Sequence, residues 1–417
     1  MKQDQALDKV KDTTWKVVTF AKPCIWTRHD PESWLFNPGV RYVLPASQVT
    51  RLVEVNGIEI DSCSDLAGCS QYRPLNLGAN LAGARIRVER YRDRGIGDLL
   101  FMTGPMRFIQ HMAGHSAKIH FYALSDRGQA LDYNPDLACQ STLSGPSVYD
   151  TFGNYDYQWM SGSVTEYSEE VDQPNVYDAL YTQLGIDPGA VPAEFKRPSV
   201  TMHESDFKNL DTFYYLVHSD RKIDLRQGYY VVAPLARSTL RSLPYGRWIE
   251  IITEMSKQRP VVVVGDADTS PNVDMGIGEF HQRVSKLGPR VINMIGMTKL
   301  RPLMSIIARA KALVCLDSGL LYVAQGLNVP AISIWGTHDP RVRIGYDADY
   351  MENAIWDQGN CRHAPCFAYL NFPHHKCPQE REQVVCECLK TPGVDAVFSK
   401  LQKIEQDTGV IEPVKPA

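Results

Sequence analysis

The run Ala310-Lys-Ala-Leu-Val-Cys-Leu-Asp-Ser-Gly-Leu-Leu-Tyr-Val-Ala-Gln-Gly-Leu-Asn-Val-Pro-Ala-Ile-Ser-Ile-Trp-Gly-Thr-His-Asp-Pro-Arg-Val-Arg-Ile-Gly-Tyr346 decides the fold. Ala312 to Leu316 is a short apolar run of the length a buried parallel strand has. It stops at Asp317-Ser318-Gly319, and a helical pattern follows in Leu320, Leu321, Val323 and Ala324. A second apolar strand, Pro330 to Trp335, ends on Gly336-Thr337. In open α/β sheets ligands bind at such carboxyl ends of strands. The Asp-Ser-Gly turn presents backbone N–H groups at a helix N-terminus, a natural anion site. The plainer alternative is that Ser318 caps the helix and Asp317 complements its dipole.

The same alternation extends upstream. Tyr229 to Ala233, Pro260 to Val264 and Val291 to Ile295 read as buried strands. Helical patterns follow near Tyr245, with Trp248, Ile251, Ile252 and Met255 on one face, and from Leu300 to Ala310. About five β/α units in succession imply a doubly wound parallel sheet. The loop after its first strand carries Arg237, Ser238, Thr239 and Arg241, two guanidiniums and two hydroxyls suited to phosphate, unless the arginines are simply solvated. Asp266-Ala267-Asp268 and Asp347-Ala348-Asp349 have the form of metal–diphosphate triplets, a form that also arises by chance.

Residues 1–83 read as a β-rich appendage, with strands at Trp15–Phe20, Val40–Leu44, Leu52–Val55 and Ile58–Ile60 and a hairpin at Asn56-Gly57. A second Rossmann-like unit spans residues 84–226. Its first strand, around Ile86 and Val88, leads to Gly95-Ile96-Gly97-Asp98-Leu99-Leu100 and a helix with Pro105 in its first turn. Ala117–Leu124 is a further strand and Val176–Leu184 a helix, while Gly128–Tyr167 resists parsing. Residues 227–390 form the second lobe, and residues 391–417 a terminal helix and tail. Two such lobes enclose a cleft, the usual place for a small ligand. No G-x-G-x-x-G follows a strand and no Walker loop is present, which disfavours a dehydrogenase. The net charge of −4 argues against a general nucleic-acid binder. No apolar run approaches the ~20 residues a bilayer span needs, and Met1–Gln5 leads into polar sequence, so a cytoplasmic protein is the simplest expectation.

Taken together, these motifs resemble glycosyltransferase family nine, the ADP-heptose:lipopolysaccharide heptosyltransferases, over roughly Ile86 to Phe398. Four pieces carry the resemblance: the G-I-G-D-L-L turn, the loop ending Arg241-Ser242-Leu243-Pro244 before Trp248, Asp317-Ser318-Gly319 followed by Gly326-Leu327-Asn328-Val329-Pro330, and Trp335-Gly336-Thr337-His338-Asp339-Pro340. It implies a GT-B architecture, acceptor on the first lobe and nucleotide sugar on the second. It also implies an inverting transfer without a catalytic metal. Asp98 is then the general base, while Gly97, Arg237, Ser238, Thr239, Arg241, Asp317, Ser318, Gly319, Leu320 and Tyr322 hold the donor, with Met297 and Thr298 lining the nucleobase pocket. The family usually has a histidine where this chain has Tyr322, and hydroxyl residues where it has Ala236-Arg237, so donors other than ADP-heptose stay open. The acceptor is a glycan, glycolipid or protein hydroxyl. The rival expectation is a non-catalytic nucleotide-sugar-binding scaffold of the same fold, and a nucleotide-sugar epimerase is a third.

Half of the ten cysteines fall between Cys361 and Cys388. Cys361, Cys366, Cys377 and Cys388 suit a closed structural Zn²⁺ or iron site, although the spacing lacks C-x-x-C pairs and free or core thiols are the alternative.

Overall fold

The computed structural model describes residues 15–27, 33–55, 57–65, 81–90, 95–123, 126–142, 155–161, 175–268, 270, 272–356, 361, 364–365, 387–389 and 392–407. Strands β1 (Trp15–Phe20), β2 (Cys24–Thr27), β3 (Ser33–Phe36), β4 (Arg41–Pro45) and β5 (Ile60–Asp65) form the appendage. β1 is central, antiparallel to β4 and β5, and β2 pairs with β3 as a separate hairpin. Phe20, Phe36 and Tyr42 are packed ring against ring at its core.

Two expectations fail here. Leu52–Val55 is not a strand but a helical turn, Arg51–Val55, continuing the helix Ala46–Thr50. Gly57, at φ +62°, ends that turn instead of making a hairpin. Its N–H and that of Ile58 donate to the Val53 and Leu52 carbonyls at 3.1 and 3.0 Å. A left-handed glycine serves a helix end as well as a hairpin, and the sequence signal is the same for both. Asn56 lies outside the described residues.

The first lobe is a parallel sheet of β6 (Arg85–Arg90), β7 (Lys118–Ala123), β8 (Cys139–Thr142) and β9 (Tyr157–Ser161) in the order β8-β7-β6-β9. β8 and β9 fall in the stretch the sequence left unparsed. Burial alternates along β7, with Ile119 and Phe121 fully buried between half-exposed His120 and Tyr122. Arg87 and Glu89, facing one another along β6, are buried on that polar side as an ion pair at 3.2 Å.

The second lobe contains β10 (Tyr230–Ala233), β11 (Val261–Val263), β12 (Val291–Asn293), β13 (Ala312–Leu316), β14 (Ala331–Trp335) and β15 (Ala354–Trp356). All six are parallel, in the order β12-β11-β10-β13-β14-β15, a doubly wound sheet that reverses between β10 and β13. Its central strands are buried at every residue, which is why each reads as an unbroken apolar run. β15 is one strand more than the sequence reading counted.

The helices Ile96–Phe101 of the first lobe and Gly319–Gly326 of the second meet at their first turns. The crossing segment is held from both sides: the Ser199 N–H donates to Thr103 Oγ1 at 2.8 Å, and the Val200 N–H to the Gly326 carbonyl at 3.2 Å. The helix Glu204–Arg221 packs on the helix Leu300–Ala308, with Arg301 Nε on Asp206 Oδ1 at 3.1 Å. The terminal helix Val394–Asp407 returns to the second lobe, where Glu405 takes both Arg259 Nε and Nη2, at 2.7 and 2.8 Å. Leu389 packs on Gly336, where a Cβ would lie 2.8 Å from Leu389 Cγ. No helix among the described residues is long and apolar enough to cross a membrane.

Candidate active site

The sheet of the second lobe reverses between β10 and β13, so the loops leaving these two strands bound one crevice. From β13 comes Asp317, 5% exposed, with both carboxylate oxygens occupied. Oδ1 accepts the Tyr322 hydroxyl at 2.8 Å, and Oδ2 lies 2.9 Å from His338 Nδ1, which arrives from the loop after β14. From the loop after β10, Arg241 Nη1 donates to the Asp317 carbonyl at 3.2 Å and stands 3.9 Å from Oδ2. Burial would raise the Asp317 carboxyl. The His338 hydrogen bond outweighs it, with the charges of Arg241 and Arg343, and holds the group well below the usual carboxylate range. Burial pushes the His338 imidazole down to about 4, against the pull of Asp317. At neutral pH, then, His338 is an uncharged N–H donor, and the positive charge beside Asp317 is that of the two arginines.

This arrangement makes stability fall in acid. The unfolded chain accepts a proton on the histidine near the ordinary 6.5, whereas the folded chain resists it down to about 4, so stability is lost as pH drops through that window. Asp317, whose carboxyl is depressed, contributes stability above its unfolded value and loses it only at lower pH. His338→Gln, which keeps a donor on Asp317, is expected to flatten the decline of Tm between about pH 7 and about pH 4.5. A wild-type decline left unaltered in that variant would assign the acid sensitivity elsewhere.

Ser318 is the N-cap of the helix Gly319–Gly326 by position, yet it makes no side-chain cap bond. Its buried Oγ has no partner among the described residues. The capping alternative raised by the sequence therefore does not describe this hydroxyl. Ser238 behaves in the opposite way, its Oγ accepting the Leu240 N–H at 3.3 Å to cap the turn Thr239–Arg241. Arg237 is exposed and Thr239 half-buried on the same loop. Met297 and Thr298 follow β12 on the same sheet, Met297 67% exposed.

Across the crevice, Gly97 and Asp98 open the helix Ile96–Phe101. Gly95 has the Asp98 carboxylate folded over it: a Cβ there would lie 2.9 Å from Asp98 Oδ2. Gly97 approaches Tyr322 and Gly319 so closely that a Cβ would stand 2.7 Å from Tyr322 Cδ2 and 3.7 Å from the Gly319 Cα. Asp98, Gly97, Arg241, Asp317, Ser318, Gly319, Leu320 and Tyr322 are thus brought to one lobe junction. The residue that sequence reasoning quoted without giving it a role is His338. The signal for it was a histidine at the carboxyl end of the strand next to β13.

The acidic triplets behave as structural turns. Asp266 Oδ1 accepts the Asp268 N–H at 3.1 Å, and Asp347 Oδ2 is bonded to Gln325 Nε2 at 3.1 Å. Asp347 also helps line a surface cavity at the amino-terminal end of β14, the other end of the sheet from Asp317. Cys361 and Cys388 are both buried in the second core, 7% and 2% exposed. Cys366 and Cys377 lie outside the described residues. Among the described residues no group of three or more His, Cys, Asp or Glu side chains is placed to hold a metal.

Two facing Rossmann-like lobes with their strand-end loops at one junction define the class by architecture as the GT-B fold. Residues 194–371 match the model of glycosyltransferase family 9 (heptosyltransferase). Among solved structures it is similar to E. coli ADP-heptose lps heptosyltransferase II, at 15% identity and TM-score 0.55, covering 78% of this chain and 100% of that one. A family 9 glycosyltransferase of Veillonella parvula gives 13% identity and TM-score 0.55, covering 79% and 99%. The iron-containing dodecameric glycosyltransferase TibC of enterotoxigenic E. coli gives 17% and 0.53, covering 80% and 82%. At these identities the likeness is one of fold. No curated protein matches the sequence.

Proposed function

We propose that this glycosyltransferase moves a heptose from ADP-heptose to an acceptor hydroxyl with inversion, Asp98 serving as general base. The observation that carries the reading is the meeting of the Gly97–Asp98 turn with the first turn of Gly319–Gly326. It brings the turn that carries Asp98 on one lobe to the helix N-terminus that follows Asp317 on the other, which supports the reading. A TibC structure in complex with ADP-D-β-D-heptose, 16% identical with TM-score 0.50, supports the choice of donor.

In this mechanism the Asp98 carboxylate takes the proton of the acceptor hydroxyl as its oxygen attacks the anomeric carbon. The bond from that carbon to the diphosphate oxygen breaks, and its electron pair leaves with ADP. The N–H groups of Ser318 to Leu320, the Ser318 hydroxyl and Arg241 receive the growing negative charge. Ser238, Thr239 and Arg237 flank the diphosphate, and Met297 with Thr298 meets the adenine. Asp317, with both oxygens taken, shapes this cradle from behind. The acceptor is a glycan, glycolipid or protein hydroxyl on the first lobe.

Calorimetric titration of ADP, UDP and GDP, followed by ADP release from ADP-heptose and ADP-glucose, tests the reading. Binding of ADP and turnover of ADP-heptose are the expected results. A protein that binds no nucleotide is a scaffold instead. Arg241→Ala should weaken ADP binding about 10- to 100-fold, the worth of a charge-assisted contact. Arg241→Lys should recover only part of this, because the planar fork is lost. Equal affinity of wild type and Arg241→Ala would remove Arg241 from the diphosphate site.

A further inference from the structure

Tyr322 touches both lobes. Its hydroxyl donates to Asp317 within the second lobe. Its ring reaches into the first: the Phe101 ring stands 4.5 Å away, centroid to centroid, with the planes at 61°. The ring edge also covers Gly97, where a Cβ would come to 2.7 Å from Cδ2. Beside it the two backbones are already in contact, since a Cβ on Gly319 would lie 3.0 Å from Ile96 Cβ and 3.2 Å from Gly97 N. Two glycines face to face have no side chain with which to fix their separation. Ile96 Cβ packs on Gly319, and the side chain that covers Gly97 is Tyr322, itself 4% exposed and anchored by a carboxylate that His338 and Arg241 hold in place.

We propose that Tyr322, fixed through Asp317 by His338, is a positioning residue that sets the distance between the Asp98 turn of one lobe and the Ser318–Leu320 amides of the other. It acts on the transfer step and not on donor affinity. The inference rests on the reading of Asp98 and the Gly319 helix as the reacting centre. A base works only within hydrogen-bond reach of the proton it removes, and a misplacement of about 1 Å costs on the order of 100-fold. The ring carries the spacing, through Gly97 and Phe101, while the hydroxyl holds the ring's orientation.

The test uses the full chain, with ADP affinity measured by calorimetry and kcat by ADP release from ADP-heptose. Tyr322→Ala is expected to lower kcat about 100-fold while the Kd for ADP stays within about threefold. Tyr322→Phe keeps the ring and should retain at least roughly a third of kcat. Phe101→Leu, which loosens the ring from the first lobe and leaves the donor lobe intact, should lower kcat at unchanged Kd. The proposal is overturned if Tyr322→Ala weakens ADP binding in proportion to its loss of turnover, or if its kcat stays near wild type. Should Tyr322→Ala fail to fold, Phe101→Leu decides, and an unchanged kcat there overturns the proposal. A wild type that neither binds ADP nor releases it from ADP-heptose overturns the donor reading and this proposal together, and is told apart because it appears without any substitution.

Discussion

Asp98→Asn is expected to lower ADP release from ADP-heptose by about 10²- to 10⁴-fold, the usual range for losing a positioned general base. The amide matches the carboxylate in shape, so it removes proton affinity and little else. Asp98 lies over Gly95 on the first lobe, whereas Arg241 and Asp317 belong to the second. ADP binding should therefore stay within about twofold of wild type. A parallel loss of affinity and turnover would make Asp98 a donor-binding residue. Full turnover would send the search for the base elsewhere on the first lobe.

Asp317→Ala is expected to be the most destabilising single change at the junction. The carboxylate is 5% exposed and is shared by Tyr322, His338 and Arg241. Its removal leaves the buried Arg343 and the half-buried Arg241 without their counter-charge and a buried hydroxyl without its acceptor. Breaking a buried pair from one side costs about 3–5 kcal/mol. At roughly 2–4 °C per kcal/mol in a large domain, Tm should fall by about 10 °C or more. ADP binding should be lost with it, because the same residues shape the Ser318–Leu320 turn. Asp317→Asn keeps one acceptor and should fall between the two. If Asp317→Ala melted with the wild type, the network would be dispensable to the fold and the acid sensitivity assigned to His338 would lose its basis.

The second lobe was legible because its strands are covered on both faces. Burial on both sides turns each strand into a continuous apolar run, and every interruption, at Asp317, Gly336, Gly265 or Gly296, marks a carboxyl-end loop. The first lobe was harder. β8 reads Cys-Gln-Ser-Thr and β9 contains Gln158, because one side of that sheet carries polar groups around the Arg87–Glu89 pair. Nothing in such a run separates a strand from a loop. In the appendage the misreading came from a turn signal with two meanings, as Gly57 shows. The residues of the site were legible as strand-end motifs, but their partnerships were not. His338 and Asp317 are brought together by the pairing of β13 with β14, a long-range fact that spacing along the chain does not encode.

The contact of Leu389 with Gly336 ties two parts of the chain together. Gly336 is followed directly by Thr337 and by His338, whose imidazole rests on Asp317. Cys388, next to Leu389, is sunk in the same core as Cys361. Leu389 therefore buttresses the loop that carries the imidazole. If the donor proposed for this site favours the docked form, binding and docking must strengthen one another by the same factor.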